Sequence, residues 1–463
     1  MTDIGVPAQP SGQVPLRRRV LNAGAWTFAG YGLSLAIRFG SNLLLTRLLA
    51  PEMFGVTAIA VIVMVGLAMF SDVGLHQSIV RSSRGDDTFF LNTVWAVQIL
   101  RGLVLFLSGC GIGVLVALAG KVGILPQDSV YANPLLPWVV SAISLSAFID
   151  GLMSTKGASA RRDLKLGRIT LMEIISQVVG LCCMFLWIVF DRSIWALIAA
   201  VLGASLARVA LSHLWLSGSP NRLQWDARAF DEIFHFGKWI FLSSILGFLV
   251  ANGDRLLLGG LVDARVLGIY AIAFTIFSSV EQLTSRVVAV VALPALSEVV
   301  RERRDDLKAT YYKFHRAIAA SAYFCSGLLV ISAPAIIGVL YDHRYADAGW
   351  MLRVLAFGLL AVPFQVAVEC FLALGLPQLL SRVLIIRLVV LFVCLPAGFH
   401  YDGFVGALWG VVASQLFPVI FIIFKARKLG FFDPRKELVI LPMIFAGLGA
   451  GELIAKSIAL WHG

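Results

Sequence analysis

A polar stripe that includes an arginine runs along one apolar segment near the N-terminus. Between residues 22 and 62, polar side chains recur every three or four positions: Thr27, Tyr31, Ser34, Arg38, and Ser41 or Asn42. This spacing places them on one face of a helix, which must contact protein or water because the rest of the helix is apolar. A guanidinium keeps its charge there and presents parallel donors that suit a phosphate. The stripe therefore predicts a polar cleft that binds an anionic group.

The same segment occurs twice in the chain. Laying residues 22–62 on residues 235–275, an offset of 213, gives 13 identities in 41 positions without a gap. Such a match indicates internal duplication. The copy lays Arg255 under Asn42 with Asp254 beside it, so both are predicted to line the cleft and each half presents an arginine to it.

Further charges lie inside apolar stretches and extend the candidate site. Charge at mid-membrane depth costs at least about 2.5 kcal/mol, so each such residue is a functional hypothesis. Arg208 and Arg387 lie deep in their segments and are predicted to line the cleft with Arg38. Coupling to protons or sodium would use a membrane carboxylate, and the sequence leaves four candidates open: Asp254, Glu281, Asp72 and Glu369.

Signals for catalysis or metal binding are weak. The histidines are scattered singly, and the six cysteines sit in apolar runs without a CxxC pair, which is typical of buried small side chains. The longest predicted outer loop, about 120–133, is too short to be a domain. We therefore expect a protein that is not an enzyme, with no cofactor and no metal.

Membrane-spanning helices must hold these residues, because a chain that is 59% hydrophobic and 14% charged cannot hide its apolar residues in one soluble core. Apolar windows of about 20 residues, the length that crosses hydrocarbon as helix, fall at 22–45, 53–76, 93–119, 134–153, 171–190, 194–216, 236–259, 266–290, 314–337, 349–375, 379–398 and 404–424. A thirteenth, 438–460, could span, tilt or lie at the interface.

The predicted fold is an all-α polytopic membrane protein with two parallel-repeat bundles of about six helices around a central cationic cleft, plus an additional C-terminal helix. The two copies begin six crossings apart and so enter the membrane in the same direction. The predicted domains are a disordered cytoplasmic tail at 1–19, a bundle at 20–216, a cytoplasmic linker at 217–235, a bundle at 236–424, and a cytoplasmic loop with a further hydrophobic helix at 425–463.

Positive charge is distributed unevenly between alternate loops. With the N-terminus inside, the cytoplasmic loops carry 24 Lys and Arg, whereas the opposite loops carry only Lys121, Arg192, Arg265 and Arg344. The positive-inside rule then predicts a cytoplasmic N-terminus in the inner membrane. The formal net charge of +11 therefore needs no nucleic-acid partner to explain it.

Five stretches form a distinctive pattern through their order and spacing along the chain. They are residues 43–75, 160–180, 254–274, 292–299 and 341–357. They include LLLTRLLAPEMFGVTAIAV, DRLLLGGLVDARVLGIYAIAF and YDHRYADAGWMLRVLAF. Together they resemble the polysaccharide transporter family of the multidrug/oligosaccharidyl-lipid/polysaccharide exporter superfamily. The resemblance covers essentially residues 20–425. Because members of that family have 12 or 14 spans, a thirteenth span would be a departure.

The resemblance implies flipping of undecaprenyl-diphosphate-linked oligosaccharide repeat units for exopolysaccharide, capsule or O-antigen. The implied partners are that lipid-linked oligosaccharide, membrane lipids and a polysaccharide polymerase. The physical requirement is consistent with this, because a sugar diphosphate cannot enter hydrocarbon while its polyprenyl tail prefers it.

Three alternatives stay open at this point. A lipid II flippase differs only in substrate. A cation-coupled multidrug exporter would favour an acidic, aromatic cleft, whereas arginines outnumber carboxylates within the spans here. A membrane polymerase or ligase of the same pathway would favour a large outer loop.

Overall fold

A computed structural model describes residues 16–71, 79, 87–162 and 166–462 of the chain. Within these ranges every regular element is helical. The α-helices are α1 (Leu16–Leu48), α2 (Pro51–Phe70), α3 (Thr88–Val122), α4 (Leu136–Gly151), α5 (Lys156–Arg162), α6 (Leu166–Phe190), α7 (Trp195–Leu214), α8 (Ala227–Leu261), α9 (Ala264–Val287), α10 (Leu293–Glu302), α11 (Leu307–Leu340), α12 (Ala348–Leu355), α13 (Gln365–Ala373), α14 (Pro377–Lys428), α15 (Pro434–Leu438) and α16 (Pro442–His462). The predicted all-α class is confirmed.

Ten helical segments of the described chain are long and apolar enough to cross a membrane. They include the segment Pro434–Leu460, which contains the thirteenth window of the sequence. A 16-residue apolar helix, α4, is shorter than a usual span. The chain is therefore a polytopic membrane protein, as predicted.

The longest helix, α14, is a hairpin of two antiparallel legs. Its backbone leaves helical geometry at Asp402 and at Gly403, where φ is +57°. A residue with a side chain is strained at that angle, so glycine allows the turn. The glycines on both sides prove the reversal, because Gly398 packs directly on the backbone of Gly406 and Gly410 packs on that of Cys394. The two legs correspond to the predicted windows 379–398 and 404–424.

Helices α2 and α9, which each follow a tight corner at equivalent places in the two halves, begin at residues that stabilise a helix start. Proline at the first position of α2 needs no hydrogen-bond partner for its nitrogen and has a preset φ. At the equivalent place in the second half, the Asp263 side chain accepts a 2.8 Å hydrogen bond from the backbone N–H of Val266 and caps α9. The α1–α2 corner and the α8–α9 corner lie at one end of the bundle, which we call the corner end.

The two halves meet where α2 crosses α9, at two glycines that the 213-residue repeat makes equivalent. A Cβ added to Gly55 would overlap the carbonyl of Ala264, and a Cβ added to Gly268 would overlap the carbonyl of Pro51. Pro51 and Ala264 are also 213 residues apart. The contact is therefore reciprocal, which is the signature of a pseudo-twofold axis between α2 and α9.

The C-terminal segment packs on α11. Gly447 packs against the Phe324 carbonyl, and Gly451 lies so close to Leu328 that an added Cβ would be 2.6 Å from its carbonyl oxygen. Just before α16, Glu437 on α15 contacts the buried His315 of α11, with 2.9 Å between carboxylate Oε2 and imidazole Nε2. This additional helix is thus part of the second half of the bundle.

Candidate functional site

A polar cavity of about 240 Å³ lies between α1 of the first half and α8 and α9 of the second half. Arg38 and Asn42 line it from α1, and Arg255 lines it from α8. The structure thus brings together two of the predicted arginines, one from each half. The rest of the lining consists of Leu35, Phe39, Phe274, Thr275, Ser278, Ser279 and Gln282.

Arg255 is held in one orientation by three neighbours. Its Nη2 donates a 3.0 Å hydrogen bond to the Ala251 carbonyl one turn back along α8. The guanidinium carbon lies 4.3 Å from the centre of the Phe274 ring, which is a cation–π distance. Its Nε lies 3.8 Å from Oδ1 of Asp254, which is an ion-pair distance but too long for a hydrogen bond. Arg255 is therefore positioned at the cavity before any ligand arrives.

Asp254 is largely buried, and it is also among the residues that line a second, larger cavity adjoining the first. It is 5% exposed, and its Oδ2 accepts a 2.5 Å hydrogen bond from the hydroxyl of Tyr270, which is itself fully buried. The carboxylate is thus committed to Tyr270 on one oxygen and faces Arg255 on the other. Its geometry suits the orientation of Arg255 better than direct contact with a large ligand.

A second cavity, of about 390 Å³, adjoins the first and shares Arg255, Phe274, Ser278 and Gln282 with it. Glu281 and Arg387 both line it. The remaining polar lining includes Asn252, Ser285, Ser414 and Gln415. One arginine-rich compartment therefore opens into a wider one lined by amides, hydroxyls and both signs of charge.

Hydroxyl groups on α9 form a face that the sequence-based prediction did not include in the cleft. Thr275, Ser278, Ser279 and Gln282 follow each other at helical spacing, so the signal was present in the sequence. Thr275 and Ser279 donate their own protons to backbone carbonyls one turn back, at 2.7 and 2.6 Å. Their oxygens are left as acceptors toward the cavity, which suits ligand hydroxyl donors.

Arg208 lies apart from the other arginines. It lines a cavity of about 440 Å³ inside the first half, together with Arg101 and Gln98. Its Nη1 contacts both oxygens of Asp150, at 3.1 and 3.2 Å. The sequence-based prediction had not included Asp150, and the tertiary structure makes it the partner of Arg208. The structure therefore does not bring Arg208 together with Arg38 and Arg255.

The other predicted residues have separate outcomes. Tyr31 and Ser34 are half-buried on α1, and neither lines the 240 Å³ cavity or the 390 Å³ cavity. Glu369 is half-buried on α13, away from both of these linings. Asp72 lies outside the described residues. Among the residues that the structure describes, no group of three His, Cys, Asp or Glu side chains could hold a metal.

Comparison with known protein families gives one match. The model of a family described as polysaccharide biosynthesis protein matches residues 44–350, about two thirds of the chain. That range contains α2 to α11 and the beginning of α12, and it includes the α8 and α9 faces of both cavities.

Individual relatives have low sequence identity to this chain, but their alignments cover most of it. A candidate O-antigen transporter from Shigella flexneri is 24% identical over 330 residues, which are 70% of this chain and 75% of that protein. The lipopolysaccharide biosynthesis protein WzxC of Escherichia coli K12 is 20% identical over 333 residues, and the succinoglycan biosynthesis transport protein ExoT of Rhizobium meliloti is 22% identical over 337. These alignments cover 70% and 72% of this chain, but only 62% and 64% of those two proteins.

The fold also occurs in solved structures of other proteins. An inward-facing multidrug resistance MATE family transporter of the MOP superfamily superposes with a TM-score of 0.66 at 15% identity, covering 86% of this chain and 94% of that one. The lipid II flippase MurJ in an inward closed conformation also gives 0.66, at 13% identity, covering 95% of this chain and 98% of that one. At such identities the likeness concerns the fold alone.

Proposed function

The chain belongs to the polysaccharide biosynthesis protein family, and from that membership we propose that it is a flippase for polyprenyl-diphosphate-linked oligosaccharide repeat units. The glycan would serve exopolysaccharide, capsule or O-antigen synthesis. Relatives described as an O-antigen transporter and a succinoglycan transport protein support a transport role. We propose that the protein is a transporter and not an enzyme.

One observation supports the proposal most directly: guanidinium groups from both halves line a single polar cavity between apolar helices. A diphosphate carries charge that hydrocarbon excludes, and guanidinium groups supply planar, permanently charged donors for it. A drug-exporter cleft for cations would need the opposite charge. The pair Arg38 and Arg255 therefore favours an anionic head group as the substrate.

The adjoining cavity provides room for the sugars. Its amides can donate and accept hydrogen bonds. The hydroxyls of Ser278 and Ser285 on α9 donate to backbone carbonyls, so their oxygens can accept from sugar hydroxyls. We assign the smaller cavity to the diphosphate and the larger one to the first sugar residues. The polyprenyl tail would stay in the lipid beside the bundle, because moving it into water would cost about 0.8 kcal/mol per CH₂ group.

Transport then requires the cavities to face each side of the membrane in turn. A parallel repeat achieves this by rocking one half against the other. We propose a cytoplasmic N-terminus in the inner membrane, the two bundles at 20–216 and 236–424, and a polysaccharide polymerase as a functional partner. Glu281 is the ion-coupling candidate best placed for this role, because it lines the larger cavity beside Arg387.

Complementation of a flippase-null strain tests the proposal. Arg38→Ala and Arg255→Ala should each abolish surface polysaccharide and cause lipid-linked intermediate to accumulate, at membrane abundance equal to wild type. Arg192→Ala is the matched control, since Arg192 is exposed in the loop between α6 and α7. Full export by both cavity variants would remove the diphosphate role from this cavity.

A further inference from the structure

The 213-residue repeat returns in two short 3-10 turns that the sequence comparison did not reach. One turn is Val130–Ala132, between α3 and α4, and the other is His343–Tyr345, between α11 and α12. Their residues are again offset by 213 positions. Each turn leaves its own half and contacts the helix corner of the opposite half.

The first turn binds the end of α8. The hydroxyl of Tyr131 donates a 2.8 Å hydrogen bond to the Leu256 carbonyl, and the backbone N–H of Val130 donates to the Val262 carbonyl at 3.1 Å. Burial raises the pKa of Tyr131 to about 12, so its hydroxyl remains a donor at any physiological pH. We call this contact the first clasp.

The second turn binds the end of α1. Nη2 of Arg344 donates to the carbonyls of Thr46 and Arg47, at 3.1 and 3.2 Å, and the hydroxyl of Tyr345 donates to the Leu49 carbonyl at 3.1 Å. Asp342 accepts from Nη2 of the same arginine at 3.1 Å and so holds the side chain in place. Hydrogen bonds from Arg344, first from its backbone N–H, lower the pKa of Asp342, which therefore stays charged. This contact is the second clasp.

One acceptor in each clasp occupies an equivalent position. Leu49 directly follows the last residue of α1, Val262 directly follows the last residue of α8, and the two are 213 residues apart. Carbonyls at a helix C-terminus have no partner within the helix and require one from outside. Each half thus donates to helix-end carbonyls of the other, on either side of the Gly55 and Gly268 crossing. The Leu256 carbonyl that Tyr131 contacts lies about one turn further back along α8.

We propose that these reciprocal clasps are the latch that holds the corner end of the bundle closed, and that both must release for the cleft to open there. The direction of opening rests on the proposed function, which places the corner end outside. The clasps are suited to release because each consists of a few hydrogen bonds from one short turn.

Access to the cleft from the corner end tests the latch directly. A reporter cysteine, Ser278→Cys, lines both cavities and is introduced after the six native cysteines are replaced. Cells that lack the glycan pathway are treated with a membrane-impermeant maleimide added outside. Arg344→Ala and Tyr131→Phe should each raise the labelling rate roughly fivefold, the shift expected for about one net hydrogen bond, and the double variant should raise it further.

Two controls make the result decisive. Arg192→Ala removes an exposed arginine outside both clasps and should leave the labelling rate unchanged. Tyr131→Phe removes a single oxygen, so it tests the latch even where Arg344→Ala lowers abundance. An unchanged rate in the Tyr131→Phe and Arg344→Ala double variant, with normal labelling after denaturation, would overturn the proposal.

A second arm locks the latch. Leu49→Cys and Tyr345→Cys, joined by a cleavable bifunctional thiol reagent, should stop glycan export, and cleavage of the linker should restore it. Export that continues with the halves joined would refute the latch. If the unlinked pair and the wild type both fail to export, it is the proposed function that fails, while the labelling experiment still decides the latch.

Discussion

At the scale of single residues, the two guanidinium groups that line the smaller cavity have different surroundings. Arg38 is exposed on α1, whereas Arg255 is fixed between Phe274 and the buried Asp254. The buried hydroxyl of Tyr270 fixes Asp254 in turn. Arg255 is thus preorganised, which lowers the entropy lost on binding, whereas the exposed Arg38 side chain would lose more rotamer freedom.

Arg38→Lys should impair export severely, although it keeps the positive charge. Lysine binds phosphate as a point charge and loses the planar pair of donors, a loss of about 1–2 kcal/mol or roughly tenfold in affinity. The measurement is complementation of the flippase-null strain by wild type, Arg38→Lys and Arg38→Ala at equal abundance. Full complementation by the lysine variant would leave Arg38 only a diffuse electrostatic role.

At the scale of helices, the glycines at the α2–α9 crossing let two backbones touch. Small residues allow such close approach in membranes, where packing rather than hydrophobicity drives helix association. Because Gly55 and Gly268 each meet a backbone carbonyl of the opposite half, a larger residue has no flexible neighbour to displace. The same device recurs within the α14 hairpin at Gly398 and Gly406.

Gly55→Ala and Gly268→Ala should each destabilise the purified protein by about 1–3 kcal/mol, the usual cost of overpacking. The measurement is the thermal midpoint in detergent together with abundance in the membrane. Gly111→Ala on α3 is the matched control, because an added Cβ there meets nothing within 4 Å. Equal stability of all three variants would mean that the helices can separate without cost at the crossing.

At the scale of the whole molecule, two halves related by a pseudo-twofold axis enclose the cavities and exchange clasps at one end. The uneven distribution of Lys and Arg between loops predicts which end faces the cytoplasm. This prediction places the clasps and the helix corners on the outer side, and the turn around the exposed Arg304 on the inner side.

Cysteine labelling of intact cells checks this orientation. In a cysteine-free background, Asp128→Cys in the exposed loop after α3 should react with a membrane-impermeant maleimide added outside. Arg304→Cys, which is also exposed, should react only after the membrane is permeabilised. Labelling of Arg304→Cys from outside would invert the topology and with it the assignment of the corner end.

The sequence alone determined the helical class, most of the spans and the duplication, because hydropathy and spacing are local properties that a lipid environment enforces strictly. It also predicted Arg38 and Arg255 for one polar cleft, and both line the same cavity. Only the tertiary structure decided which polar faces meet. It placed Arg208 with Asp150 inside one half, buried Asp254 against Tyr270, added the hydroxyl face of α9, and joined the two turns to opposite helix ends. These contacts depend on how each helix is rotated and how the halves are docked, and residue spacing along one helix carries no information about its neighbours.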